Sequence, residues 1–457
     1  MKKHILIACY FFAALILFSE CKKDSSSTQT TATITALNCS SATFSATATV
    51  NKAYTGTATV PYTGGNAATY SAGSAISSTG VTGLTATLTA GTLASGAGSL
   101  TFSISGTPTS SGTASFALSF GGQTCTMGLT VSSGATATSC ASLTGVAKLV
   151  CLCDSFESML SSSQISALQL SYNYTNIKTW SNLPAALSPR IGLQFSTLSS
   201  AQLGAAKAIV KAMTGTYANE GYDEVNQVWL ADDYLLANGG GSDYGSGNYY
   251  IAFFGTPSVT GQFEIMETGH HKTVANTYKN GSLIAYTPHF EASEPISFTS
   301  GSNTYAPITQ ERDAFVAFLA SLNSSQLASA KSSSSFSDLV LVPGQDWKFP
   351  TTHSGLVGSS LSASQKTLLT NTIKTYTEDI DDVNGATVLS SYVSKLDSTY
   401  VLYSGTTSMT TKYDYFRIDG PNVWIEFIVA GGIVFPTQTH IHSIWRDRVN
   451  DYAGTKN

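Results

Sequence analysis

Five of the seven histidines in this 457-residue chain fall in two short stretches. TGHHKTVANTYKNGSLIAYTPHFEASEP holds His270, His271 and His289, and THIHSIWRDR holds His440 and His442; His353 stands alone. Side chains alternate along a strand, so His440 and His442 are expected on one face, where both reach a single metal ion. On a strand His270 and His271 would point apart, so one of them is expected to join that pair. Three imidazoles around an open fourth position make a catalytic zinc or copper centre. The candidate metal set is therefore His270, His271, His440 and His442, with His289 ranked below them.

Carboxylates and arginines complete the chemistry. Glu291, Glu294 or Glu426 offers a further ligand or a general base, and Glu264 and Glu267 lie close to the histidines in QFEIMETGHH. Arg417 in RID and Arg446 beside Asp447 in WRD present planar forks suited to an anionic substrate. The candidate catalytic set is Glu426, Arg417, Arg446 and Asp447. The competing reading makes these arginines partners of structural carboxylates and the histidines caps of strand ends. Other templates fail: the sequence has no Gly-x-Ser-x-Gly elbow, no H-E-x-x-H helix and no phosphate-binding glycine loop.

These groups need elements to position them. From Cys140 onward one signal recurs four times: LSSSQ, LSSAQ, LNSSQ and LSASQ, beginning at Leu160, Leu198, Leu322 and Leu361. Each sets Ser or Asn three residues before Gln, a capping box that marks a helix start. LSSAQLGAAKAIVKAM and LSASQKTLLTNTIKTY continue with apolar residues at spacings of three and four, as amphipathic helices do. NYYIAFFGTP, QFEIMET, SLIAYTP, DYFRIDG and VWIEFIVAGG are predicted strands, so residues 140–457 are expected to form an α+β domain.

Residues 34–133 differ. Lys52 is the only charged residue between Asp24 and Lys148. ATFSATATV, SLTFSISG, ASFALSF and CTMGLTV alternate small polar with apolar residues between glycine-rich turns, which predicts an all-β sandwich. VPYTGGNAATYSAG, the stretch from SSTGVTGL to GTASFAL, and GGQTC resemble an Ig-like module of bacterial surface lipoproteins. That resemblance implies a spacing or adhesive role and transfers no catalytic residue.

The segment MKKHILIACYFFAALILFSECKKD has a positive start and a short apolar stretch, the layout of an export signal. It resembles a bacterial lipoprotein signal over residues 1–20, with Glu20 the departure. Lipidation of Cys21, followed by a polar tether over residues 21–33, would make the membrane a partner and the cell envelope the location. Export permits disulfides among the five remaining cysteines. Cys39 with Cys125 is the first expected pair, and Cys140 with Cys151 or Cys153 the second. Charged residues are 11% of the chain and the net charge is -5, which gives no footprint for nucleic acid.

RIGLQFSTLSSAQLGAAKAIVKAM, YYIAFFGTPS, GHHKTVANTY, TPHFEASEP, YFRIDGPNVWIEF and HIHSIWRDRVNDYAG together resemble the bacterial family DUF3500. The resemblance supplies no activity. The expected function is a cell-envelope lipoprotein whose histidine-rich, metal-dependent site acts on an extracytoplasmic small molecule, peptide or glycan. The alternative is a non-catalytic surface protein that binds such a ligand.

Overall fold

The computed structural model describes residues 30–132 and 139–456. The signal-like segment, Cys21 and most of the polar tether lie outside the described residues.

Two larger sheets and a two-stranded one, Thr69–Tyr70 with Gly91–Thr92, build the region from Ala36 to Ser132. One larger sheet is led by Tyr54–Asn66 and Ser95–Gly106, the other by Gly112–Phe120 and Gln123–Ser132. Alternation turns Leu100, Phe102 and Ile104 inward from the first and Phe116, Leu118, Met127 and Leu129 inward from the second. They form one shared core. The run ATFSATATV is not one strand as predicted. Thr43–Phe44 pairs with the first sheet and Ala48–Thr49 runs parallel to Val131–Ser132 in the second, so the chain changes sheets inside it. Cys39 and Cys125 are bonded, as are Cys140 and Cys151, leaving Cys153 a buried thiol. The isolated charge of this region has a partner in the next: Lys52 pairs with Asp154 and lies 3.6 Å from Glu157.

The larger region is a twelve-stranded sheet with helices against it. Its main path runs Gln169–Leu170, Tyr250–Phe254, Gln262–Thr268, Lys272–Lys279 and His289–Ser293. It then continues through Thr439–Asp447, Val423–Gly431, Tyr415–Asp419, Tyr400–Ser404 and Leu356–Val357. The order is palindromic: chain order rises to the centre of the sheet and falls beyond it. Each half supplies four longer helices in the same order, with only two-residue strands between the second and third and the longer strands after the fourth. These are the helices Gly145–Glu157, Ser162–Leu168, Ser200–Met213 and Gly221–Leu235, matched by Thr309–Ala320, Ser324–Ala330, Ala363–Thr377 and Asp382–Val393. The region is thus a duplicated unit whose halves join where His289–Ser293 pairs antiparallel with Thr439–Asp447.

Duplication explains the recurring capping signal. All four boxes close, on Ser161, Ser199, Asn323 and Ser362. They also meet in pairs within each half: Gln202 Nε2 donates to Gln164 Oε1 at 3.3 Å, and Gln365 Nε2 to Gln326 Oε1 at 2.9 Å. One motif therefore caps two helices and also fastens them together.

The sheet has two dissimilar faces. Ile425, Phe427, Ile441 and Trp445 pack on one side against Phe315, Leu369, Ile373 and Tyr376 of the helices. On the other side Phe290, Ala292, Ile428 and Ile444 are covered by Trp180, Leu339, Phe336 and Trp347, which come from irregular segments. Loops rather than helices roof that second face, and its histidines belong to it.

Candidate metal centre

The hairpin between Gln262–Thr268 and Lys272–Lys279 turns through Gly269, His270 and His271. A Cβ on Gly269 would fall 2.1 Å from the Tyr249 ring, so only glycine lets the turn lie on that ring. The His271 N–H donates to the Tyr249 hydroxyl at 3.3 Å, and the His271 carbonyl accepts from Ala292 N at 2.8 Å. Ala292 is paired with His442 across the central strands. The turn thereby carries His271 to the strand that bears the other two histidines.

His440 and His442 share a face, as alternation requires, with their Nε2 atoms 2.8 Å apart. The His271 ring centroid lies 5.7 Å from His440 and 5.8 Å from His442. One nitrogen from each of the three rings falls within 4.8 Å of the other two. His271 and His440 are buried, whereas the His442 side chain is 13% exposed and opens the group toward solvent beside half-exposed Asp338. Burial and the neighbouring imidazoles hold His271 well below its ordinary pKa and His440 at about 3. Both rings are consequently neutral and have a lone pair to offer.

Outer partners orient this group. His442 Nδ1 lies 3.2 Å from Asp338 Oδ1, which also accepts from Leu339 N at 2.8 Å. Burial alone would lift the Asp338 carboxyl, but the hydrogen bond and charge of His442 bring it below its ordinary value. His270 departs from the expectation that adjacent histidines diverge. The two lie in a turn rather than a strand, and their rings stack at 3.5 Å. His270 Nδ1 is held 2.7 Å from Asp232 Oδ1, so His270 backs His271 and is not one of the three convergent ligands.

The other expected site residues serve elsewhere. Glu426 shares the histidines' face, but its carboxylate is saturated. Oε1 accepts from Leu341 N at 2.9 Å and Trp424 Nε1 at 2.7 Å, and Oε2 from Val340 N at 2.5 Å and Tyr415 Oη at 2.8 Å. It has no free lone pair for a general base, and it anchors the loop that delivers Asp338. Arg446 is fully buried between Asp346 at 2.7 Å and Asp451 at 2.9 Å, so no substrate reaches it. Asp447 accepts from Tyr286, Tyr392 and the backbone N–H groups of Val449 and Asn450, closing a turn. Arg417 donates to Ser354 Oγ at 2.8 Å and lies over Trp424. All four engage partners within the fold, and none joins the three-histidine group.

Alternation also removes Glu291. Ala292 shares the face of His442, so Glu291 and His289 turn to the helix-covered side. Glu294 instead accepts from Ile433 and Phe435 N, Glu264 accepts from Thr277 and Glu267 from Trp229. His353 stacks on Tyr400 beside Asp419. Asp338 and Asp232 were missed by sequence reasoning. Asp338 follows a serine run without periodicity, and Asp232 lies on a helix 38 residues before His270.

Fold and site together define a disulfide-bonded protein with a duplicated α+β domain and a three-histidine group on the loop-covered face of its sheet. The chain belongs to the family described as protein of unknown function DUF3500, whose profile matches residues 142–454. No curated protein and no solved structure matches it.

Proposed function

We propose that this protein is a lipid-anchored cell-envelope protein in which His271, His440 and His442 hold a zinc or copper ion and act with it on an extracytoplasmic substrate. Lipidation at Cys21 and an Ig-like spacer over residues 34–133 would hold the catalytic domain off the membrane. The two disulfides fit an oxidising compartment, and among the described residues no helix is long and apolar enough to cross a membrane. The observation that carries the reading is the convergence of three ring nitrogens, two of them from neutral buried imidazoles.

The donor set fits such an ion. Zn–N bonds of about 2.0–2.1 Å at tetrahedral angles place ligand nitrogens about 3.4 Å apart. His440 and His442, 2.8 Å apart as an N–H···N pair, need to separate by only about 0.6 Å. His442 donates from Nδ1 to Asp338, which fixes the tautomer and leaves Nε2 as the ligand atom. A bound zinc ion would supply Lewis acidity and a bound copper ion one-electron chemistry. The His270–Asp232 pair stands behind His271 and fixes the ring that stacks on it. The exposed edge at His442 and Asp338 admits the substrate.

Cobalt(II) added to the chelator-stripped protein tests the reading, because cobalt reports its ligands by visible absorption. A four- or five-coordinate spectrum that saturates at one ion per chain, and is lost in the double variant His440→Ala/His442→Ala, is expected. Only the pale spectrum of hexaaqua cobalt in the wild type would leave the histidines without a metal and favour a ligand-binding role.

A further inference from the structure

On the helix-covered face of the sheet, opposite the histidine group, lies a closed ionic core. Glu224, Glu291, Glu311 and Asp379 are wholly buried, and Glu220 is 5% exposed. Lys272 places Nζ 2.6 Å from Glu224, 3.1 Å from Glu291 and 3.9 Å from Asp379, and His289 Nε2 lies 3.2 Å from Asp379. Five carboxylates thus face one ammonium and one imidazole. Complete ionisation would leave at least three negative charges without a protein cation, and a buried charge persists only when it is paired or coordinates a metal.

The imbalance is localised. Lys272 engages one oxygen each of Glu224 and Glu291. Both carboxylate oxygens of Glu311 are buried without a hydrogen-bond partner, as are Oε1 of Glu291 and Oε2 of Glu220. Glu224 and Glu291 are joined by a side-chain hydrogen bond, which accounts for one shared proton, whereas neither oxygen of Glu311 has such a partner. Carboxylate oxygens of Glu224, Glu291 and Glu311 nevertheless lie within 4.8 Å of one another, a spacing that one ion with metal–oxygen distances of about 2.3–2.6 Å can span.

We infer that Glu224, Glu291 and Glu311, with Glu220 at the rim, form an internal site for a hard divalent cation such as calcium or manganese, separate from the histidine centre. Carboxylate oxygens select hard ions, whereas the three imidazoles select zinc or copper. The cation would tie the helices Gly221–Leu235 and Thr309–Ala320, one from each half of the duplication, to the central strand His289–Ser293. Its role is to lock the two halves together.

The full chain, stripped by chelation and refolded with and without calcium or manganese chloride, provides the test. One ion per chain is expected, in the wild type and equally in His440→Ala/His442→Ala, so failure here is separable from failure of the histidine centre. At a hundredfold excess over Kd the unfolding midpoint should rise by about 5 °C. Binding should weaken at least tenfold in Glu311→Gln and severalfold in the rim variant Glu220→Gln, which keeps the assay informative if the first does not fold. No binding of either ion by the wild type at about 1 mM overturns the proposal. So does a Glu311→Gln protein that melts higher than the wild type with no response to either ion, since protons would then neutralise the cluster.

Discussion

Replacing Glu426 by glutamine is predicted to destabilise the α+β domain by about 3–5 kcal/mol while weakening metal binding only indirectly. The carboxylate accepts four hydrogen bonds, two at each oxygen, from Leu341, Trp424, Val340 and Tyr415. A glutamine amide offers one oxygen and turns an NH2 group toward the other two donors. The Tyr415 hydroxyl can rotate and accept, but a backbone N–H cannot, so at least one donor is left buried and opposed. An orphaned donor costs about 1–3 kcal/mol, and two lost charge-assisted bonds add about 1 kcal/mol each. For a domain of this size that corresponds to a fall of about 6–10 °C in the unfolding midpoint, read by differential scanning calorimetry. Because Glu426 holds Val340 and Leu341, the loop carrying Asp338 loosens and metal affinity should drop about tenfold through the lost contact with His442. A variant with an unchanged midpoint that nonetheless loses its metal or its turnover would refute this reasoning and return Glu426 to the chemistry.

Glu264 gives a pH-dependent prediction. Burial raises its carboxyl to about 8, against an ordinary value of 4.5, so the folded state keeps a proton that the unfolded chain releases. Its contribution to stability is full below the unfolded value and is lost as pH rises from about 4.5 toward about 8. Glu264→Gln should therefore match the wild type near pH 4.5 and exceed it by about 3 kcal/mol at pH 7, measured by urea unfolding at several pH values; equal slopes would contradict it. Removing the Cys39–Cys125 bond, whose cysteines are 86 residues apart, by a double serine substitution should cost the N-terminal region about 4–5 kcal/mol. Calorimetry should find the transition of that region lowered and that of residues 142–454 unmoved. Asp338→Ala should weaken zinc or copper binding about 10–100-fold with little change in stability, because half-exposed Asp338 orients His442 without packing in the core.

What the sequence disclosed depended on how local the determining interactions are. The capping boxes at Ser161, Ser199, Asn323 and Ser362 were legible because a helix start is fixed within four residues. The shared face of His440 and His442 followed from the two-residue period of a strand. The pairing of those boxes through Gln164 with Gln202, and Gln326 with Gln365, was not legible although the repeated motif was visible, since it needs the duplicated halves folded. The stacking of His270 on His271 was missed because the chain turns there instead of continuing as a strand. Asp338 reaches His442 across 104 residues, and the four donors to Glu426 come from a loop and two strands, two of them more than 80 residues away, so neither role is legible in local spacing. Arg446, beside Asp447, drew attention because its planar fork suits an anionic substrate. The same fork suits the buried carboxylates of Asp346 and Asp451 equally well.

Elemental analysis of the full chain, purified without chelator and compared with His440→Ala/His442→Ala, tests the central claim most directly. About one zinc or copper per wild-type chain, absent from the variant while its unfolding midpoint stays close, is the predicted result. A wild-type protein that holds neither metal, even after reconstitution with each, would contradict a metal centre at His271, His440 and His442.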